Sequence, residues 1–233
     1  MTEHKRGRVA VASKPFQKSG RPAPDCPTLP GFKRFDITSD GTAKLAPGVF
    51  ACDVSPLLLG PVTDFAGEQG VRFENLWQYS KVYPQLGHWD GALQKPTPAW
   101  YAWRADGFGR LRGGKGIRTP SEVYDLKQRF GPSGWKPLCS WWNGRALGYL
   151  EARRTIFVSV YARALRKHPA MVALREKLDA GKDILLLDVD GPSIRDYPNG
   201  RIMDAAVYKD ALSDTAHIFG HGYVVAAILA NVI

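Results

Sequence analysis

Apolar residues recur at three- and four-residue steps most regularly between residues 145 and 180. Leu147, Leu150, Ala152, Ile156, Phe157, Val160, Tyr161, Ala164 and Leu165 mark one helical face. His168-Pro169 divides this stretch into two helices, and Gly181 ends the second. The run from Asp183 to Pro192 is continuously apolar up to Asp188, the pattern of a strand buried on both faces. An apolar helix over 223–232 closes the chain. Upstream, the pattern predicts a helix over 74–83 with Leu76, Trp77 and Ser80 on one face, ended by Pro84. Thr97-Pro98 reads as a cap and first helical position for a helix through Trp103. A short helix is expected from Ser121 to Arg129. Short strands are expected within 48–62 and at 71–73, and Trp141-Trp142-Asn143-Gly144 reads as a turn leading into a helix. Residues 104–136 are otherwise glycine-rich, basic and irregular. The elements describe an α/β (α+β), predominantly helical single domain with a few short strands.

A length of 233 residues suits one domain with a tail. Residues 1–30 hold five prolines and few large apolar side chains, the composition of a basic, disordered or loosely packed tail. Ordered structure is expected from about Phe32, so 31–233 is taken as the domain. The three cysteines, Cys26, Cys52 and Cys139, are odd in number and widely spaced, which argues against a disulfide framework or a zinc site. No apolar run reaches the ~20 residues of a membrane span, and Met1 to Gly20 lacks the apolar core of a secretory signal. A soluble cytoplasmic protein without membrane contact is the expectation. The formal net charge is +10, and residues 1–24 carry half of it, with six basic side chains against Glu3 alone. Such a balance suits an anionic partner, either DNA or RNA or a phosphorylated small molecule.

Five constellations offer chemistry. Glu74, Gln78 and Lys81 fall on one helical stripe, where a carboxylate could act as general acid or base and a desolvated amine as nucleophile. A solvated face with an ion pair explains the same spacing. Asp188 and Asp190, two apart, share a face if the strand continues through both, and they lie at the carboxyl end where α/β sheets place ligands. A turn-capping aspartate is the plainer alternative. Gly220, His221 and Gly222 open the last helix and would attract an anion. His217 and His221 have zinc-pair spacing, but the glycines and the missing third ligand argue against metal. The loop around Arg112 and Lys115 approaches a phosphate loop. Gly116 stands where Ser or Thr should hold magnesium, which excludes an NTPase and leaves either phosphate contact or a solvated insertion. Seven tryptophans crowd the middle of the chain, for stacking on a base or for the core.

These elements in this order resemble the NADAR family (NAD- and ADP-ribose-associated domains). That family carries a Glu-x-x-x-Gln-Ala-x-Lys-Phe helix, which Glu74, Gln78 and Lys81 match in spacing, with Tyr79 and Val82 at the Ala and Phe positions. Trp142-Asn143 with Tyr149 to Arg153 is similar to its tryptophan turn and following helix. Leu178 to Gly181 and Ile184 to Asp190 are similar to its later turn and acidic strand, and Phe219 to Val225 to its last helix. The likeness spans about residues 55–231, with the loop at 104–136 as a basic insertion and Tyr197-Pro198-Asn199-Gly200 in place of a Trp-Gly-x-Gly segment. The resemblance implies a cofactor-free N-glycosidase acting on an anionic sugar-phosphate, such as ADP-ribosylated guanine in nucleic acid or a riboflavin-pathway-like ribosylamine phosphate. It implies Lys81 as the Schiff-base lysine, Glu74 as its proton-transfer partner, Asp188 or Asp190 as a second carboxylate and Trp142 stacked on the base. Gln78, Gly220, His221, Arg112 and Lys115 complete the expected substrate contacts. A non-catalytic nucleic-acid-binding or structural protein reusing the fold is the alternative.

Overall fold

The computed structural model describes residues 5–14, 27–38, 54–131, 135–192 and 196–233. The protein is mixed α/β, with helices and several small sheets. It divides into two compact units, Met1–Ser55 with Tyr161–Ile233, and Pro56–Val160. Among the described residues no helix is long and apolar enough to cross a membrane.

The first unit is built on a four-stranded sheet in the order Arg201–Ile202, Val9–Ser13, Ile184–Asp188, Lys33–Asp36. The last three strands run parallel, and Arg201–Ile202 pairs antiparallel. Both central strands are buried along their whole length, as parallel strands covered on both faces must be. Residues 9–13 correct the expectation of a loose tail. Val-Ala-Val-Ala-Ser is a five-residue apolar run, and averaging over the proline-rich, basic residues around it hides that run. The final helix, His221–Leu229, packs on both central strands, and all nine of its residues are buried. It begins two residues before the expected start. Pro169–Asp179, capped by the His168 ring, and Ala205–Ser213, capped by Asp204, complete the helices of this unit together with most of Ser159–Leu165.

In the second unit the helix Phe73–Tyr79 packs on the helix Pro98–Gly109. The contact is close because residue 107 is glycine: a Cβ there would lie 2.0 Å from the Tyr79 ring. The Thr97 cap is as expected, its hydroxyl accepting from Trp100 N at 3.4 Å, but the helix runs six residues beyond Trp103 into the stretch expected to be irregular. The 73–79 helix stops four residues early. The chain goes directly into strand Lys81–Val82, which pairs with Cys139–Trp142 and through it with Arg145–Leu147. Asn143 and Gly144, with φ of 48° and 75°, form the two-residue turn of a β-hairpin, so this segment pairs strands rather than opening a helix. Residues 69–70, not 71–73, form the short strand before Phe73; of the stretch 48–62, expected to open with a strand, residues 48–53 lie outside the described residues. The helix expected at 121–129 is present as Ser121–Phe130. Between Tyr149–Ala152 and Ser159–Leu165 the segment Arg153–Val158 is π-helical, and it sets Phe157 edge-on against Phe73 and Trp77, each at 5.4 Å.

Two outcomes test this packing. Gly107→Ala should lose roughly 1–3 kcal/mol by overpacking Tyr79, whereas Gly109→Ala, where the added methyl meets open space, should be neutral or slightly stabilising in urea denaturation. His88 is buried beside Trp103 (4.7 Å) and Tyr83 (6.4 Å), and burial pushes its imidazole down to about 4, against a smaller upward pull from Glu122. The unfolded chain therefore binds this proton between pH 6.5 and 4 while the folded chain does not. Stability falls as pH drops through that window, by up to about 3 kcal/mol for this group. His88→Phe should flatten that part of the stability–pH curve.

Candidate active site

Glu74, Gln78 and Lys81 do come together, although the helix that was to carry all three ends at Tyr79. Glu74 and Gln78 sit one helical turn apart, and Gln78 Nε2 donates to Glu74 Oε1 at 2.6 Å. Lys81, in the strand that follows at once, donates from Nζ to Gln78 Oε1 at 2.6 Å. One amide thus bridges an amine and a carboxylate. The Lys81 main chain is held by pairing with Ser140 and by Trp100 Nε1, which donates to Lys81 O at 2.9 Å. Its ammonium lies 4.9 Å from the Trp77 ring, whose position is fixed in turn by Phe157. Glu74 is 8% exposed and stands in the first turn of its helix, where the backbone favours negative charge.

Desolvation is the largest influence on the Lys81 amine and pushes it down to about 8. Glu74 pulls it up and Lys127 adds to the lowering. At pH 7.5 about a quarter of such an amine is neutral, against about one in a thousand for an ordinary lysine. A neutral, anchored amine beside a carboxylate can attack an electrophilic carbon and exchange protons. Cys139, by contrast, is no candidate nucleophile: burial pushes its thiol up to about 11.

Sequence reasoning missed Asn75, the residue that ties the basic loop to this helix. Asn75 is fully buried. Its Nδ2 donates to Gly107 O and Arg110 O, both at 2.7 Å, and its Oδ1 accepts from Ile117 N at 3.0 Å. Gly116 packs against Asn75, Arg72 and the β-carbon of Glu74 with no room for a side chain, and its N–H donates to Leu57 O at 2.7 Å. The glycine that failed the NTPase pattern is therefore a close-contact position. The sequence signal was a polar amide next to Glu74 on an otherwise apolar flank. Beyond Gly116 lies a cavity of about 480 Å³, lined in part by Leu57, Arg112, Lys115, Arg118, Ser121 and Tyr124. Arg112 and Lys115 thus line a concave surface.

Trp142 is not available to stack on a base. It is 2% exposed, and its ring lies 5.6 Å from the Arg104 guanidinium, which also sits over Phe108 (4.5 Å) and Trp100 (5.3 Å) and pairs with Glu68. Burial pushes that guanidinium down to about 10, with Asp64 opposing. The pleat of the 139–142 strand turns Trp142 inward.

Asp188, Asp190, Gly220 and His221 belong to the first unit. Asp188, 1% exposed, accepts from Gly222 N at 2.8 Å through Oδ2, and from Val189 N at 2.7 Å and Asp190 N at 3.4 Å through Oδ1. His221 Nδ1 is 3.2 Å from the same Oδ2, and its Nε2 faces Ile37 O at 2.8 Å. The anion expected at the start of the last helix is thus the protein's own carboxylate, which caps it from the sheet. A Cβ at Gly220 would stand 2.6 Å from Asp188 Oδ2, so glycine is required for that approach. The strand ends at Asp188, which leaves Asp190 in the following bend, not at the next same-face position of a strand. His217 Nδ1 is held by Asp214 at 2.7 Å, and among the described residues no group of three or more His, Cys, Asp or Glu side chains could hold a metal ion.

No protein-family model, curated protein or solved structure matches the chain.

Asn75→Ala should leave Arg110 O and Ile117 N without the Asn75 amide and take from Gly107 O one of its two donors, the other being Arg110 N. The expected loss is about 3 kcal/mol in equilibrium denaturation, and the apolar Asn75→Leu should not recover it.

Proposed function

We propose that the protein is an N-glycosidase in which Lys81 is the nucleophile and Glu74 the proton-transfer partner. The carrying observation is the Lys81 amine, lowered to about 8 and linked through Gln78 to Glu74. The neutral amine attacks C1′ of a ribosyl group, and the C1′–N bond breaks with its electron pair leaving on the base. Glu74 takes the proton released from the alkylated amine and passes it to that base. The ring oxygen then leaves C1′ and is protonated while the lysine nitrogen forms a C=N bond. Water adds to C1′, the C–N bond to Lys81 breaks, and the opened sugar departs with the amine restored.

The sugar-phosphate substrate class is supported by the order of motifs that resembles the NADAR family and by the excess of cationic side chains. ADP-ribosylated guanine in nucleic acid and a ribosylamine phosphate are the two substrates proposed. Asp190 is no longer needed as a second carboxylate, because one amine and one acid complete the proton balance. The net charge of +10 favours the second reading, a non-catalytic nucleic-acid-binding module.

Incubation with ADP-ribosylated DNA or a ribosylamine phosphate in the presence of sodium borohydride should give a covalent adduct that maps to Lys81. Lys81→Ala should abolish it, and Glu74→Gln should slow base release by on the order of 10²–10⁴. Base release undiminished in Lys81→Ala would overturn the assignment, and retention of nucleic-acid binding without any adduct would favour the second reading.

A further inference from the structure

We propose that the cavity lined by Arg112, Lys115 and Arg118 binds the phosphate of a small ring-bearing phosphate ester, a nucleoside monophosphate being the simplest representative. The proposal rests on the reading of Arg112 and Lys115 as substrate contacts, and occupancy of the cavity can be read without turnover at Lys81.

The hairpin carrying the first two cations is the main observation. Arg112 N donates to Lys115 O at 2.9 Å and Lys115 N to Arg112 O at 3.1 Å, so the two residues form a directly opposed, hydrogen-bonded pair. Gly113 and Gly114, with φ of 57° and 77°, make the two-residue turn between them. Side chains opposed in this way share one face of the hairpin, and like charges there destabilise each other. A third cation approaches the same turn: Arg72 Nη2 donates to Gly114 O at 3.2 Å, and its buried Nε has no hydrogen-bond partner among the described residues. Arg118 lines the cavity as well, against Asp125 as its one carboxylate among the lining residues. Repulsion held in a rigid turn is relieved by an anion seated between the cations. Phosphate suits it, because guanidinium groups match its oxygens in pairs.

The remaining walls say what the phosphate is attached to. Thr119 and Ser121 offer hydroxyls, and the helix Ser121–Phe130 starts at the cavity, so its first-turn amides add positive potential. Leu57, Ile117 and Tyr124 supply apolar and aromatic surface. About 480 Å³ exceeds what inorganic phosphate alone fills and lies within the range of small-molecule sites. The floor is rigid, because Asn75 and Gly116 hold the loop against the 73–79 helix.

The test is calorimetric titration of the full chain with adenosine 5′-monophosphate, adenosine and inorganic phosphate at two salt concentrations. The monophosphate should bind at least about tenfold more tightly than adenosine, and more weakly as salt rises. The double variant Arg112→Ser, Lys115→Ser should lose about tenfold or more of that affinity. Lys81→Ala, lacking the proposed nucleophile, should bind as the parent does. Both residues replaced lie on the surface turn, and an unchanged unfolding curve for the double variant checks that it folds. Equal binding of adenosine and its monophosphate, binding undiminished in the folded double variant, or no binding of the monophosphate at millimolar concentration would each overturn the proposal.

Discussion

A half-buried amine beside a carboxylate is the constraint around which the Pro56–Val160 unit is arranged. Lys81 could satisfy its charge in solvent, yet its main chain is fixed by the ladder to Ser140 and by the Trp100 indole, and its side chain lies along Trp77. Gln78 is the residue that makes the arrangement tolerable. Its two-ended amide accepts from the amine and donates to Glu74, so each group has a hydrogen-bond partner. The lowered affinity of Lys81 for its proton follows from that burial, only partly offset by the acid.

The same helix organises the basic loop. Asn75, one residue from Glu74, binds two carbonyls from the end of the 98–109 helix and one amide beyond the hairpin. Gly116 closes the contact from the other side. A loop that carries Arg112 and Lys115 is thereby attached to the helix that carries the acid. The first unit uses the same physics for a different end. There Asp188 spends its lone pairs on the backbone of its own bend and on the final helix, and Gly220 and Gly222 exist to let it approach. One buried carboxylate is a joint, the other a partner to an amine; their hydrogen-bond partners distinguish them.

Much of this was legible in the order of residues. The 184–188 run showed a buried strand because a parallel strand covered on both faces has no polar alternation. Thr97-Pro98 and His168-Pro169 marked true helix starts. The spacing of Glu74, Gln78 and Lys81 brought the right three residues together, though on a mistaken element, since three residues beyond Gln78 the side chain can return to the amide from a strand as well as from a helix. Other features were hidden for physical reasons. Val9–Ser13 is too short to dominate the basic composition around it. Asn143-Gly144 carried a hairpin signal that the neighbouring tryptophans obscured, and the inward face of Trp142 depends on strand pleat, which composition does not reveal. Asn75 acts through main-chain atoms 32 to 42 positions away, and no local pattern encodes such partners.

The most direct measurement is an NMR titration of the Lys81 side chain, with the resonance assigned by the Lys81→Ala variant. The arrangement described here gives a midpoint near 8, and a still lower one in Glu74→Gln, because the acid is what holds the proton on. A midpoint above about 10, as for a lysine in water, or an upward move on removing the acid, would contradict it.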